Sequence, residues 1–70
     1  MNFKIYKAEY NGLRFKIEED YPEVGAYLYV YEKEKCLTDY LQNTIFDCQE
    51  VALEKYQVPF TKWKEYKDDL

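Results

Sequence analysis

Hydrophobic and polar positions alternate along the first half of the chain and change to a helical period in the second half. Residues 2–10, NFKIYKAEY, are rich in β-formers. They carry two apolar phases: Phe3 and Ile5 in one, Tyr6, Ala8 and Tyr10 in the other. Either both faces of this strand are partly covered, or a bulge shifts the phase. Asn11-Gly12 supplies the two positive-φ residues that a tight hairpin turn needs. Leu13, Phe15 and Ile17 then alternate with Arg14, Lys16 and Glu18, a half-buried strand with one clear inner face. Residues 19–25, EDYPEVG, read as a loop punctuated by Pro22 and Gly25, with Tyr21 and Val24 expected to tuck under the sheet.

AYLYVYE, residues 26–32, is the strongest strand signal. Tyr27, Tyr29 and Tyr31 point one way and Ala26, Leu28 and Val30 the other. The small aliphatic set suits a covered face, which leaves the tyrosines on the opposite one. A charged turn, Glu32-Lys33-Glu34-Lys35, leads to CLTDYLQ, residues 36–42, read as a short fourth strand.

The stretch from Asn43 to Trp63 reads as one amphipathic helix with its start and stop marked. Thr44 and Asp47 resemble a capping box, though Asn43 could cap instead. Ile45, Cys48, Val51, Ala52 and Tyr56 share one face, widened by Phe46 and Leu53; Asp47, Glu50 and Glu54 fall opposite. Gln49 lies within the apolar sector and needs a partner or a place at its edge. Pro59 disfavours helical geometry at Val58 and ends the helix. Phe60 and Trp63 are expected to fold back as an aromatic plug on the end of the core, with Thr61 opening a short turn. Residues 64–70 are charged and read as a fraying tail, although Tyr66 could dock. The order predicts an α+β fold: an antiparallel meander sheet of three to four strands with one C-terminal helix packed on one face. One domain is expected over 1–63, followed by the charged C-terminal tail 64–70.

Seventy residues bury roughly 60% of their unfolded surface, so a lone monomer is marginally stable. Aromatic residues, 20% of the chain, or self-association would compensate. Fourteen acids against ten bases leave a net charge of −4, and Arg14 is the one arginine. Duplex nucleic acid and anionic membranes, which select clustered positive charge, are therefore disfavoured. Cys36 and Cys48 have no CxxC spacing and no histidine beside them, so a structural zinc site is not expected. Cys48 falls on the core face of the helix, and a disulfide between the two stays open. The opening residues run straight into alternation in place of an apolar signal segment, and no apolar run approaches ~20 residues. A cytoplasmic protein without a membrane span is the expectation.

The sequence contains neither histidine nor serine, which removes Ser/His/Asp and Cys/His catalysis. Its two glycines, Gly12 and Gly25, form no phosphate loop. Glu18-Glu19-Asp20 reads as solvated charge at a strand end. An enzyme is not expected, nor any cofactor, metal or catalytic residue. The feature that outruns a plain fold is the tyrosine row. Tyr27, Tyr29 and Tyr31, with Arg14 and Lys16 on the same outer face, form a candidate partner-binding strip with apolar bodies and polar tips. Cross-strand packing on a solvated sheet would place the same residues there, as would base stacking of a single-stranded nucleic acid.

Asp39, Leu41, Gln42, Thr44, Val58, Pro59 and Trp63 carry a further pattern. It resembles that of small uncharacterised bacterial proteins, with an Asp-x-Leu-Gln-x-Thr lead into a helix and a Val-Pro-x-x-x-Trp close. Gln57 stands where that pattern suggests glycine. Some such proteins look like immunity partners of bacterial toxins. The resemblance covers the C-terminal half and implies a non-enzymatic protein-binding role, with no catalytic residue. The expected partner is another protein or a second copy of the chain.

Overall fold

The computed structural model describes residues 3–67, without the side chain of Lys67. Five strands and one helix form a two-layer α+β domain: β1 (Lys4–Tyr10), β2 (Leu13–Glu19), β3 (Ala26–Glu32), β4 (Lys35–Gln42), α1 (Ile45–Tyr56) and β5 (Lys64–Lys67). The sheet is antiparallel throughout, with spatial order β4-β3-β2-β1-β5. The expected meander is present, and the strand count rises to five. The added strand is the first part of the expected tail: residues 64–67 pair with β1, Lys64 opposite Lys7 and Tyr66 opposite Ile5. Two lysines and a glutamate hid a strand whose single aromatic, Tyr66, carries its packing. Residues 68–70 lie outside the described residues.

Local chemistry explains the turns. Asn11 and Gly12 have φ of 54° and 82°, the left-handed geometry that closes β1 onto β2 in two residues. The β1–β2 ladder runs from Ile5↔Glu18 to Tyr10↔Leu13 without a register shift. The two apolar phases of β1 therefore reflect one covered face and one partly covered one. Tyr6, Ala8 and Tyr10 pack toward the core, and Ile5 lies opposite Tyr66 on the other side. The irregularity falls instead between Val30 and Tyr31, where β4 bulges. Gly25 has φ 111°, and a Cβ there would collide with the Gln42 carbonyl. Only glycine lets β3 begin so close to the end of β4.

The core comprises Ala8, Phe15, Ile17, Ala26, Leu28, Val30, Cys48, Ala52 and Val58. α1 lies across β2, β3 and β4. It starts where expected: Thr44 is the N-cap, its hydroxyl accepting the Asp47 N–H at 3.0 Å. It ends at Gln57, which takes the left-handed conformation (φ 59°) and donates its N–H to Leu53 at 3.0 Å. Val58 is fully buried, and the chain returns through a 3-10 turn, Phe60–Lys62. Trp63 then meets Phe15 edge-on, ring centroids 6.3 Å apart.

Three side-chain expectations are corrected. Phe46 and Leu53 do not widen the buried face of the helix; both are exposed, Phe46 by 58%. Phe60 does not plug the core with Trp63 but stacks flat on Phe46 at 5.6 Å, outside it. Tyr21 and Val24 do not tuck under the sheet: both are exposed, and Tyr21 meets Phe3 edge-on at 5.1 Å. On the helix the buried stripe is taken by Cys48 and Ala52. The two cysteines are free, Cys36 exposed and Cys48 buried.

Candidate partner-binding face

Strand β3 separates the two faces of the sheet. Ala26, Leu28 and Val30 are buried beneath α1, while Tyr27, Tyr29 and Tyr31 are half-buried on the opposite face. The tyrosine rings form a continuous file. Tyr27 and Tyr29 are stacked at 6.1 Å, and Tyr29 and Tyr31 are tilted at 6.4 Å. The two basic residues expected beside them are there. Lys16 is directly across from Tyr29, its Nζ 5.5 Å from the ring centre, and Arg14 is across from Tyr31 at 6.0 Å. Each position brings a cation over an aromatic face, an attraction of about 0.5–1 kcal/mol at exposed sites.

The electrostatics of the strip are self-contained. Lys16 bonds Glu18 at 3.1 Å, the one ion pair among the described residues. Partial burial works against the Lys16 charge, but the hydrogen bond and charge of Glu18 outweigh it and raise the ammonium pKa. Burial, then the charges of Glu18 and Asp39, push the Tyr29 phenol upward, so it stays a neutral hydroxyl at ordinary pH. Arg14 donates to the Lys33 carbonyl, which ties the strip to the β3–β4 turn. That turn holds Lys33 at φ 56°.

The face extends beyond the five residues named from sequence. Ladder register assembles it into rows that cross the sheet. One runs Lys64, Lys7, Lys16, Tyr29, Asp39. The next runs Tyr66, Ile5, Glu18, Tyr27, Leu41, and a third runs Glu9, Arg14, Tyr31, Cys36. Lys7 lies over Tyr66 at 4.9 Å, and Leu41 and Leu37 are about half exposed (54% and 45%). Lys7 and Glu9 were readable as the polar partners of Ile5 once β1 is granted two phases. Lys64 and Tyr66 were hidden by the tail reading. Over these rows the face carries four cations (Lys7, Arg14, Lys16, Lys64) and three acids (Glu9, Glu18, Asp39). The chain as a whole is at −4, so most of its negative charge lies elsewhere.

Other surface features are lesser. A cleft of about 500 Å³ beside the start of α1 is lined by Phe3, Pro22, Ile45, Glu19 and Asp20. Its two acids are occupied by backbone amides, Glu19 by that of Lys4 at 3.1 Å and Asp20 by that of Tyr21 at 2.7 Å. Among the described residues no group of three His, Cys, Asp or Glu converges as a metal site, and no helix is long and apolar enough to cross a membrane. Comparison of the chain with protein-family models, curated proteins and solved structures gave no match.

Proposed function

We propose that this chain is a non-enzymatic protein–protein interaction module that binds through the outer face of its sheet. One observation carries the reading. Three tyrosines in a continuous file, with cations over two of them, are held half-buried on a sheet whose other face is covered by α1. Tyrosine gives large contact area with few rotors, and arginine and tyrosine are the residues in which binding energy concentrates. Leu37 and Leu41 extend the apolar area beside the file. The partner is another protein or a second copy of the chain, in a cytoplasmic setting. In an immunity-like role the face, with Glu18, Glu32 and Glu34, would occlude a toxin.

The test compares the wild-type chain with Tyr29→Ala by sedimentation and as bait in its native lysate. Association that falls at least tenfold in the variant, with the fold intact by circular dichroism, supports the reading. A wild-type chain that stays monomeric at high concentration and captures nothing sinks it.

A second reading rests on the Lys64–Lys7–Lys16 row beside the tyrosines: single-stranded nucleic acid held by stacking and phosphate contacts. Salt-sensitive quenching of tyrosine emission by an oligonucleotide would favour it. The acids Glu9, Glu18 and Asp39 among those rows oppose it.

A further inference from the structure

The rows that cross the outer face have a polarity. In the first, cations occupy the β5, β1 and β2 positions, tyrosine the β3 position and an acid the β4 position. In the second, Tyr66 and Ile5 occupy one end and Tyr27 and Leu41 the other, with Glu18 between. β2 is the middle strand of five. A two-fold axis along β2, between two sheets packed face to face, exchanges β5 with β4 and β1 with β3 while keeping each row on itself.

That operation converts the order of the first two rows into complementarity, while in the third it sets Glu9 against Tyr31. Lys64 of one copy meets Asp39 of the other, and Lys7 meets the file at Tyr29. Tyr66 meets Leu41, and Ile5 meets Tyr27. Opposite charges, cation and ring, and apolar with apolar are each matched twice, because a two-fold interface repeats every contact. Of the residues on β2 that face their own copies, Lys16 has its counter-charge in Glu18 at 3.1 Å, and Arg14 is engaged by the Lys33 carbonyl. The axis perpendicular to the strands, by contrast, keeps β5 over β5 and β4 over β4, so the cationic half of one sheet meets the cationic half of the other.

Aligned sheets pack in this manner in β-sandwiches, with their strand directions within about 30°. A standard interface takes about 800 Å² from each partner. That is about 15% of the 5203 Å² surface, an area suited to one whole face of a two-layer domain.

We infer that the occupant of the outer face is a second copy of this chain, docked face to face about a two-fold axis along β2, with Lys64 paired to Asp39 across the interface. This rests on the reading of the tyrosine face given above and names its partner.

Charge exchange between separate chains tests it. Full-length Lys64→Asp places acid against acid twice in its own dimer, and Asp39→Lys places base against base twice. Each variant alone should dimerise about tenfold more weakly than wild type in sedimentation equilibrium, since two rim contacts reverse sign. An equimolar mixture of the two restores both contacts, one native and one with its charges exchanged, and should associate as the wild type does. Recovery on mixing also shows that neither variant had simply misfolded. A wild-type chain that is monomeric throughout overturns the inference; binding of another protein that depends on Tyr29 would then leave the face reading standing. A dimer broken by Tyr29→Ala but indifferent to both charge variants keeps the face and overturns the two-fold order. A dimer indifferent to all three substitutions, as pairing through the β4 edge would be, overturns both.

Discussion

Leu28 and Tyr29 are adjacent on one strand and point to opposite faces, and replacing each with alanine tests the architecture under the candidate site. Leu28 is fully buried in the core cluster with Cys48 and Ala52. Deleting its branched end removes apolar area and leaves a cavity that close-packed neighbours fill only in part, at a cost of about 2–5 kcal/mol. A chain of 70 residues has a total stability of roughly 3.5–10 kcal/mol at 0.05–0.15 kcal/mol per residue. Leu28→Ala should therefore leave a barely folded protein. Tyr29 is half-buried, and its alanine variant loses stacking on Tyr27, the tilted contact with Tyr31 and the contact with Lys16. Cross-strand pairs contribute about 0.2–1 kcal/mol, and strand propensity spans about 1 kcal/mol. A loss of about 1 kcal/mol is expected. Urea unfolding followed through Trp63 fluorescence and far-UV circular dichroism reads both, at one low protein concentration so that association does not enter. If Tyr29→Ala destabilises the isolated chain as much as Leu28→Ala, the tyrosines belong to the core and the candidate face does not exist.

Gln57→Gly should stabilise the chain by up to about 1 kcal/mol in the same urea assay, because Gln57 ends α1 at φ 59° where glycine meets no Cβ penalty; a destabilised variant would refute that cap geometry. Gly25→Ala should cost about 3 kcal/mol or more, since its Cβ meets the Gln42 carbonyl and its φ of 111° disfavours any side chain; a variant as stable as wild type would mean β3 and the end of β4 lie farther apart. Burial, then the nearby Asp47 charge, push the Cys48 thiol from 9.0 up to about 11. The unfolded chain thus gives up this proton first, so stability is unaffected below pH 9 and falls by about 2–3 kcal/mol as pH climbs to 11. Cys48→Ala should show a shallower fall over that window, and an identical slope would exclude the thiol as its cause.

The architecture was largely legible because period and face agreed. Leu13, Phe15, Ile17 against Arg14, Lys16, Glu18 left one orientation for β2, and the small side chains of Ala26, Leu28 and Val30 marked the covered face of β3. Thr44 and Pro59 bounded α1 because caps and breakers act within a few residues. The misses are non-local. Residues 64–67 have no apolar alternation, and their strand exists because β1 offers a free edge and Tyr66 finds Ile5 and Lys7. Phe46, Leu53 and Phe60 have the right composition for the core, but a 12-residue helix over a narrow sheet has space for one stripe only. Of the candidate face, the five β2 and β3 residues followed from phase alone. The cross-strand rows required register, which depends on where each turn closes.

The inner layer gives a reason for the outer face to be used. Three of the nine buried core residues are alanines and one is a cysteine, so little volume is packed beneath α1. The helix reaches β2, β3 and β4, and the Val58–Trp63 return completes the cover at Phe15. A domain with so thin a core gains from a second apolar layer, and two outer faces apposed about β2 would supply one, with Ile5 and Tyr27 flanking the axis and Leu41 and Tyr66 at the rim. Folding and association would then be linked. Each tenfold rise in chain concentration should add about 1.4 kcal/mol per mole of dimer to its resistance to unfolding. The thermal midpoint should climb accordingly for wild type and for the equimolar mixture of Lys64→Asp with Asp39→Lys, and much less for either variant alone. A wild-type midpoint that does not move with concentration would mean that the inner layer suffices unaided and that the outer face is left to other partners.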